Sequence, residues 1–125
     1  MSENRNLVLV VDDEEDLVIA LKARFQSAGY EVEVARDGLE ALRKARTLDP
    51  DVIILDVMLP KMDGFKVCRM LKFDNRYSRI PVLMLSARGQ EVDQEMGKKV
   101  GADDYMVKPF DSAKLMSRVK ELLGN

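Results

Sequence analysis

Five short β-like runs alternate with five helix-like stretches, and this alternation narrows the available folds more than any other feature of the chain. The runs are Leu7 to Val11, Glu31 to Ala35, Val52 to Leu55, Pro81 to Leu85 and Asp104 to Val107. The first and third are wholly apolar, which suits strands covered on both faces. The second alternates Glu with Val, as an edge strand does. Strands that alternate strictly with helices imply right-handed crossovers, a parallel sheet and helices on both of its faces.

The stretches between the runs carry a helical period. Leu17, Leu21, Phe25 and Ala28 share one face, and Gly29 supplies a stop. Asp37 and Glu40 form a capping-box pattern ahead of Leu39, Leu42 and Ala45. Phe65, Cys68 and Leu71 mark a third helix, and Val92, Met96 and Val100 a fourth. Asp111 can cap a fifth, which turns Leu115, Val119, Leu122 and Leu123 inward before Gly124. The pattern predicts a doubly wound α/β fold with five parallel strands. The edge character of the second run favours the flavodoxin-like order 2-1-3-4-5 over half of a Rossmann arrangement. With no repeat, low-complexity segment or linker, a single domain is expected over residues 1–125.

Composition removes several function classes. Lys and Arg number 20 against 22 Asp and Glu, a net charge of −2, whereas general nucleic-acid binding wants a basic footprint. The chain has no His, which excludes Ser-His-Asp triads, Cys-His dyads, His-ligated zinc or haem, and a phosphohistidine carried on this chain. Cys68 is the only cysteine, so neither an internal disulfide nor a Cys-based zinc site is possible. It reads as a small core hydrophobe. No apolar run approaches the roughly 20 residues that span a bilayer, and Met1 to Asn6 is polar, unlike a signal peptide. A soluble cytoplasmic protein with no direct membrane or nucleic-acid contact is expected.

In open α/β sheets, ligands sit beyond the carboxyl ends of the strands, where strand order reverses. Asp12, Asp13 and Glu14 follow the first run, the third ends on Asp56, Ser86 follows the fourth, and Lys108-Pro109 follows the fifth. Order 2-1-3-4-5 makes neighbours of the strands that carry Asp12, Asp13 and Asp56. Clustered carboxylates repel unless a positive charge joins them. Hard oxygen donors without His or Cys point to Mg²⁺. Lys108 is a point charge suited to a phosphoryl oxygen, and Ser86 can donate a hydrogen bond to another.

Three segments carry a resemblance that covers Leu7 to Leu123. Val10-Val11-Asp12-Asp13-Glu14, Leu55-Asp56-Val57-Met58-Leu59-Pro60-Lys61-Met62-Asp63-Gly64 and Gly101-Ala102-Asp103-Asp104-Tyr105-Met106-Val107-Lys108-Pro109-Phe110 resemble the receiver domain of bacterial two-component response regulators. The resemblance implies a phosphorylation-activated signalling switch rather than an enzyme. Asp56 would accept a phosphoryl group from a sensor histidine kinase or a histidine phosphotransfer protein. Mg²⁺, or Mn²⁺ in its place, would sit on Asp13, Asp56 and the Met58 backbone carbonyl, with Asp12 acting through water, while Lys108 contacts the phosphoryl oxygens. It further implies a cis Lys108-Pro109 peptide and a switch pair of Ser86 and Tyr105. Met58 and Arg88 take the positions that tune phosphoryl lifetime, which here predicts slow to moderate self-dephosphorylation. Gly64 is expected at positive φ in the loop before the third helix.

The resemblance also implies surfaces. The output face would lie on the fourth helix, fifth strand and fifth helix, and the input face on the first helix. There Asp16, Ile19, Ala20, Ala23 and Ser27 lie away from the core stripe, with Ile19 as the anchor. The target would be a downstream protein or a separate output domain. Two other readings fit less well. An aspartate-nucleophile phosphatase needs an acid/base two residues after the nucleophile, where this chain has Met58. A flavin-binding module needs a phosphate loop, which Asp12-Asp13-Glu14-Glu15 would repel.

Overall fold

The computed structural model describes residues 6–87 and 91–124, and for 91–94 the backbone alone. Five strands and five helices alternate: β1 (Leu7–Val11), α1 (Glu15–Ser27), β2 (Glu31–Ala35), α2 (Gly38–Leu48), β3 (Val52–Asp56), α3 (Gly64–Lys72), β4 (Val82–Ser86), α4 (Glu91–Lys99), β5 (Asp104–Val107) and α5 (Ser112–Leu122). The strands form one parallel sheet in the order β2-β1-β3-β4-β5, as the apolar patterning predicts. No described helix is long and apolar enough to cross a membrane.

Alternating side chains of the central strands fill two cores. Leu9, Val11, Ile53 and Leu55 face α2 and α3, where they meet Ala41, Leu42, Ala45, Val67, Cys68 and Leu71. Val8, Val10, Val52 and Ile54 face α1 and α5, against Leu21, Phe25, Leu115 and Val119. Covering both faces explains why β1 and β3 carry no alternation. Cys68 is fully buried, its Sγ lies 3.6 Å from the Val100 carbonyl, and burial pushes its thiol up to about 12. It is a core residue, as expected.

Several local expectations shift by a residue. β3 runs on to Asp56 and β4 starts at Val82, because Pro81 has no N–H for the ladder. In α1, Val18 is buried whereas Ala28 is exposed, since the helix has already ended at Ser27 and Gly29 turns with φ 95°. The buried stripe of α2 is Gly38, Ala41, Leu42 and Ala45, which leaves Leu39 exposed. In α4, Gly97 is buried and Met96 turns outward, while Val100, just past the helix, is buried; the Val92 side chain lies outside the described residues.

Gly64 does not have positive φ. It opens α3 so close to β3 that a Cβ would stand 2.1 Å from the Asp56 carbonyl oxygen. Contact, not dihedral freedom, requires the glycine, and the left-handed residue of that loop is Lys61, at φ 68°. Side-chain carboxylates cap α2, α3 and α5. Asp37 accepts from the Glu40 N–H, while Glu40 reaches back to the Arg36 N–H, one residue earlier than a capping box would have it. Asp63 and Asp111 cap α3 and α5.

Candidate functional site

Parallel register brings the strand ends level. Val11 pairs with Leu55, Asp56 with Leu85 and Ser86 with Val107, so the residues at and just beyond these positions share the carboxyl edge of the sheet. Asp12, Asp13 and Asp56 meet there, with one carboxylate oxygen from each within 4.8 Å of the others. Asp12 and Asp56 are 2% and 4% exposed, which places two carboxylates in a low-dielectric setting; Asp13 is open to solvent.

Lys108 bridges the buried pair. Its Nζ lies 2.8 Å from Asp12 Oδ2, 3.2 Å from Asp56 Oδ1 and 3.8 Å from Glu14 Oε1. The lysine is placed by its own backbone, whose N–H donates to the Ser86 carbonyl, and it precedes a cis peptide to Pro109. Asp12 Oδ1 also accepts the Glu14 N–H, which fixes the carboxylate at the entry to α1.

Burial pushes the Asp56 carboxyl up to about 6, the Asp12 charge adds to the effect, and Lys108 opposes it. For Lys108, burial works against the charged form, but the hydrogen bond to Asp12 and the charges of Asp56 and Asp12 outweigh it and raise its pKa. One cation thus serves three carboxylates, and the pocket carries an excess of negative charge. The donors are all hard oxygens, so the pocket suits a divalent cation such as Mg²⁺.

The other expected residues divide. Ser86 is the fully buried last residue of β4 and belongs to the same edge. Tyr105 sits further back, opposite Met84 and half-buried, with its ring where a Cβ on Gly97 of α4 would meet it at 3.0 Å. Met58 is 57% exposed beside the pocket, and Arg88 lies outside the described residues. On α1, Asp16, Ile19, Ala20, Ala23 and Ser27 are all exposed, Ile19 to 59%.

The sequence reading missed how the loop between Asp56 and α3 is held. Its far end rests on the start of α2: the Gly38 N–H donates to the Pro60 carbonyl, and Lys61 Nζ lies 3.6 Å from Asp37 Oδ2. A Cβ on Gly38 would stand 2.1 Å from the Met62 carbonyl oxygen. A glycine at the first position of a helix, where nothing local requires one, was the available signal.

Comparison with known proteins gives the family and the fold. The family model for the response regulator receiver domain matches residues 8–120. The chain is 49% identical over 116 residues to the alkaline phosphatase synthesis transcriptional regulatory protein PhoP of Bacillus subtilis, covering 93% of this chain and 48% of that one. The chain spans about half the length of the curated relatives it matches. A putative response regulator from Chloroflexus aurantiacus superposes with a TM-score of 0.92 at 36% identity, over 98% of this chain and all (100%) of the other. The receiver domain of sensor histidine kinase PA1611 from Pseudomonas aeruginosa superposes with a TM-score of 0.88 at 30% identity, over 97% and 99% of the two chains. That structure has a magnesium ion in its active site cleft. This chain belongs to the response regulator receiver domain family, the phosphorylation-activated switches of two-component signalling.

Proposed function

We propose that Asp56 is the phosphoryl acceptor of this receiver domain, and that its donor is a phosphohistidine on a sensor kinase or a histidine phosphotransfer protein. One observation carries the reading: the buried Asp56 carboxylate ends a central strand and faces both the Lys108 ammonium and the Asp12–Asp13 pair. With its pKa near 6, Asp56 is ionised at neutral pH and available as a nucleophile. Its oxygen forms the new bond to phosphorus as the phosphorus–nitrogen bond of the donor breaks, and the released histidine nitrogen keeps the electron pair.

The chain's own groups stabilise the transferring phosphoryl. Lys108 sets a positive charge against one oxygen, and Ser86 donates a hydrogen bond to another. Asp12, Asp13, Asp56 and the Met58 backbone carbonyl would hold Mg²⁺, with Mn²⁺ as a second hard cation that fits. The chemistry such an ion supplies is neutralisation of charge between an anionic donor and an anionic acceptor. Ser86 and Tyr105 form the packing switch that changes the face of α4, β5 and α5. Met58 and Arg88 set the phosphoryl lifetime by restricting water.

The domain acts as one unit over 1–125, in the cytoplasm, through a downstream protein or an output domain, and catalyses only its own phosphorylation and dephosphorylation. The net charge of −2 favours protein partners over direct nucleic-acid contact. Incubation with Mg²⁺ and acetyl phosphate, read by intact mass, tests the assignment. The wild-type chain is expected to gain one phosphoryl group and Asp56→Asn none. An adduct that persists in Asp56→Asn, or none in the wild type, overturns it.

A further inference from the structure

A groove of about 740 Å³ runs between α3 and α4, outside the residues of the proposed switch, and Met58 is the one described lining residue it shares with the proposed phosphorylation site. Its floor is apolar and buried, formed by Val57 and Val100. Its walls are large apolar side chains left in water: Phe73 is 65% exposed, Met58 57%, Met96 40% and Met70 38%. Singly exposed apolar residues are ordinary. Four that line one concavity are the mark of an interaction site.

The rim is basic. Lys66 and Arg69 stand on successive turns of α3, and Arg69 lies 5.6 Å from the centroid of the Phe73 ring. Nearby cations have acidic partners: Lys72 pairs with Asp103, and Arg76 with Asp74. Among the described residues, Lys66 and Arg69 pair with no carboxylate. Among the described lining residues the one acid is Asp63, which accepts the Lys66 backbone N–H as the α3 cap. The groove therefore presents two cations to solvent on a protein whose net charge is −2.

We propose that this groove binds an acidic amphipathic helix of a partner protein. From Lys66 through Arg69 and Met70 to Phe73 the α3 wall rises about 10 Å, or two helical turns. That is the length over which a guest helix presents apolar anchors at i, i+3 or i+4, and i+7. Carboxylates flanking those anchors meet Lys66 and Arg69. The three methionines form an adaptable lining, which accepts anchors of differing shape. Because Met58 lies two residues beyond Asp56, the guest rests on the loop that leaves the acid pocket.

Two fluorescein-labelled helical peptides test this with the whole chain by fluorescence anisotropy. Both carry Leu at i, i+3, i+4 and i+7, and one has Glu and the other Lys at the flanking positions. The Glu peptide is expected to bind at least tenfold more tightly than the Lys peptide. The double variant Lys66→Glu/Arg69→Glu should reverse that order, and Phe73→Ser should weaken the Glu peptide about tenfold. All three positions are exposed, and thermal melts report whether the variants remain folded. Amide shifts in the wild type should gather on residues 57–58, 65–73 and 96–100. Three results would each overturn the proposal: equal affinity for the two peptides, shifts centred on α1 or α5, or capture by phosphatidylglycerol vesicles with no binding of the Glu peptide.

Discussion

Two Lys–Asp pairs stand at opposite ends of the same sheet, and they are built to different rules. At the amino edge of β4 and β5, Lys72 is 11% exposed, and its Nζ lies within 3.0 Å of the Ser78 carbonyl, the Ile80 carbonyl and Asp103 Oδ2. Asp103 Oδ2 also accepts the Val82 N–H. Every member has partners, and the pair ties the end of α3 to the α3–β4 connection and to the start of β4 and β5. At the carboxyl edge, Lys108 is 15% exposed and must serve Asp12, Asp56 and Glu14, with Asp13 close by. The first is a closed network and the second is short of positive charge. Completed polar networks hold structure, whereas an unbalanced one marks a place for a charged ligand.

Lys72→Ala should have the largest effect on stability. It leaves two carbonyls without the ammonium and Asp103 with only the Val82 N–H, and loss of one partner from a half-buried pair is costly. Asp103 retains some solvent, which reduces the cost. The expected loss is about 2–3 kcal/mol, or roughly 10 °C in melting temperature for a domain of this size. Urea and thermal unfolding measure it. A loss below about 1 kcal/mol would show that the amino-edge pair is no more than a surface contact and would break the comparison.

The carboxyl edge should respond in the opposite sense. Asp56 binds its proton more tightly in the folded state, with a pKa of about 6 against an ordinary 3.8. Between those values the native state holds more protons than the unfolded one, so stability falls as pH rises from about 4 to about 6 and then levels. Asp56→Asn removes this penalty. In EDTA, the variant should be more stable than the wild type by about 1–3 kcal/mol at pH 7.5, with the difference fading towards pH 4. A difference that stays constant across that range would place its origin in packing rather than charge.

The two edges also differ in how far the sequence reveals them. Strand order, the doubly wound topology and the meeting of Asp12, Asp56 and Lys108 were all legible. Apolar runs report burial on two faces, and a parallel sheet gathers the residues after each strand at one edge. Lys72 was not legible. Its partners are backbone carbonyls of the α3–β4 connection and an aspartate 31 positions away, none of which has a sequence signature. Leu39 and Met96 were misplaced for a related reason. Small residues can form a buried stripe, and Gly38, Ala41 and Gly97 carry too little hydrophobic signal to fix the phase of a helix. Gly64 was expected for positive φ, but the requirement is contact with the Asp56 carbonyl, which only coordinates reveal.

Gly38 offers the finest test of the contrast, because it acts on the carboxyl edge without touching the pocket. A methyl group there collides with the Met62 carbonyl and must push the turn at 60–62 off the end of α2. That turn continues from Met58, whose carbonyl we assign to the cation, so the displacement should reach the site as misplaced oxygen rather than lost charge. Gly38→Ala is expected to weaken Mg²⁺ binding by about 1 kcal/mol, roughly fivefold, in a calorimetric titration. Gly29→Ala is the matched control. Its φ of 95° makes any side chain strained, but nothing lies within 4 Å of the new Cβ, and it stands before β2 at the opposite edge. It should cost about 1 kcal/mol of stability while leaving Mg²⁺ affinity intact. If both variants weaken Mg²⁺ binding in proportion to their loss of stability, the pocket is sensing general softening and Gly38 holds no special place. If Gly38→Ala alone does so, the seat of the β3–α3 loop on α2 is part of what shapes the cation site.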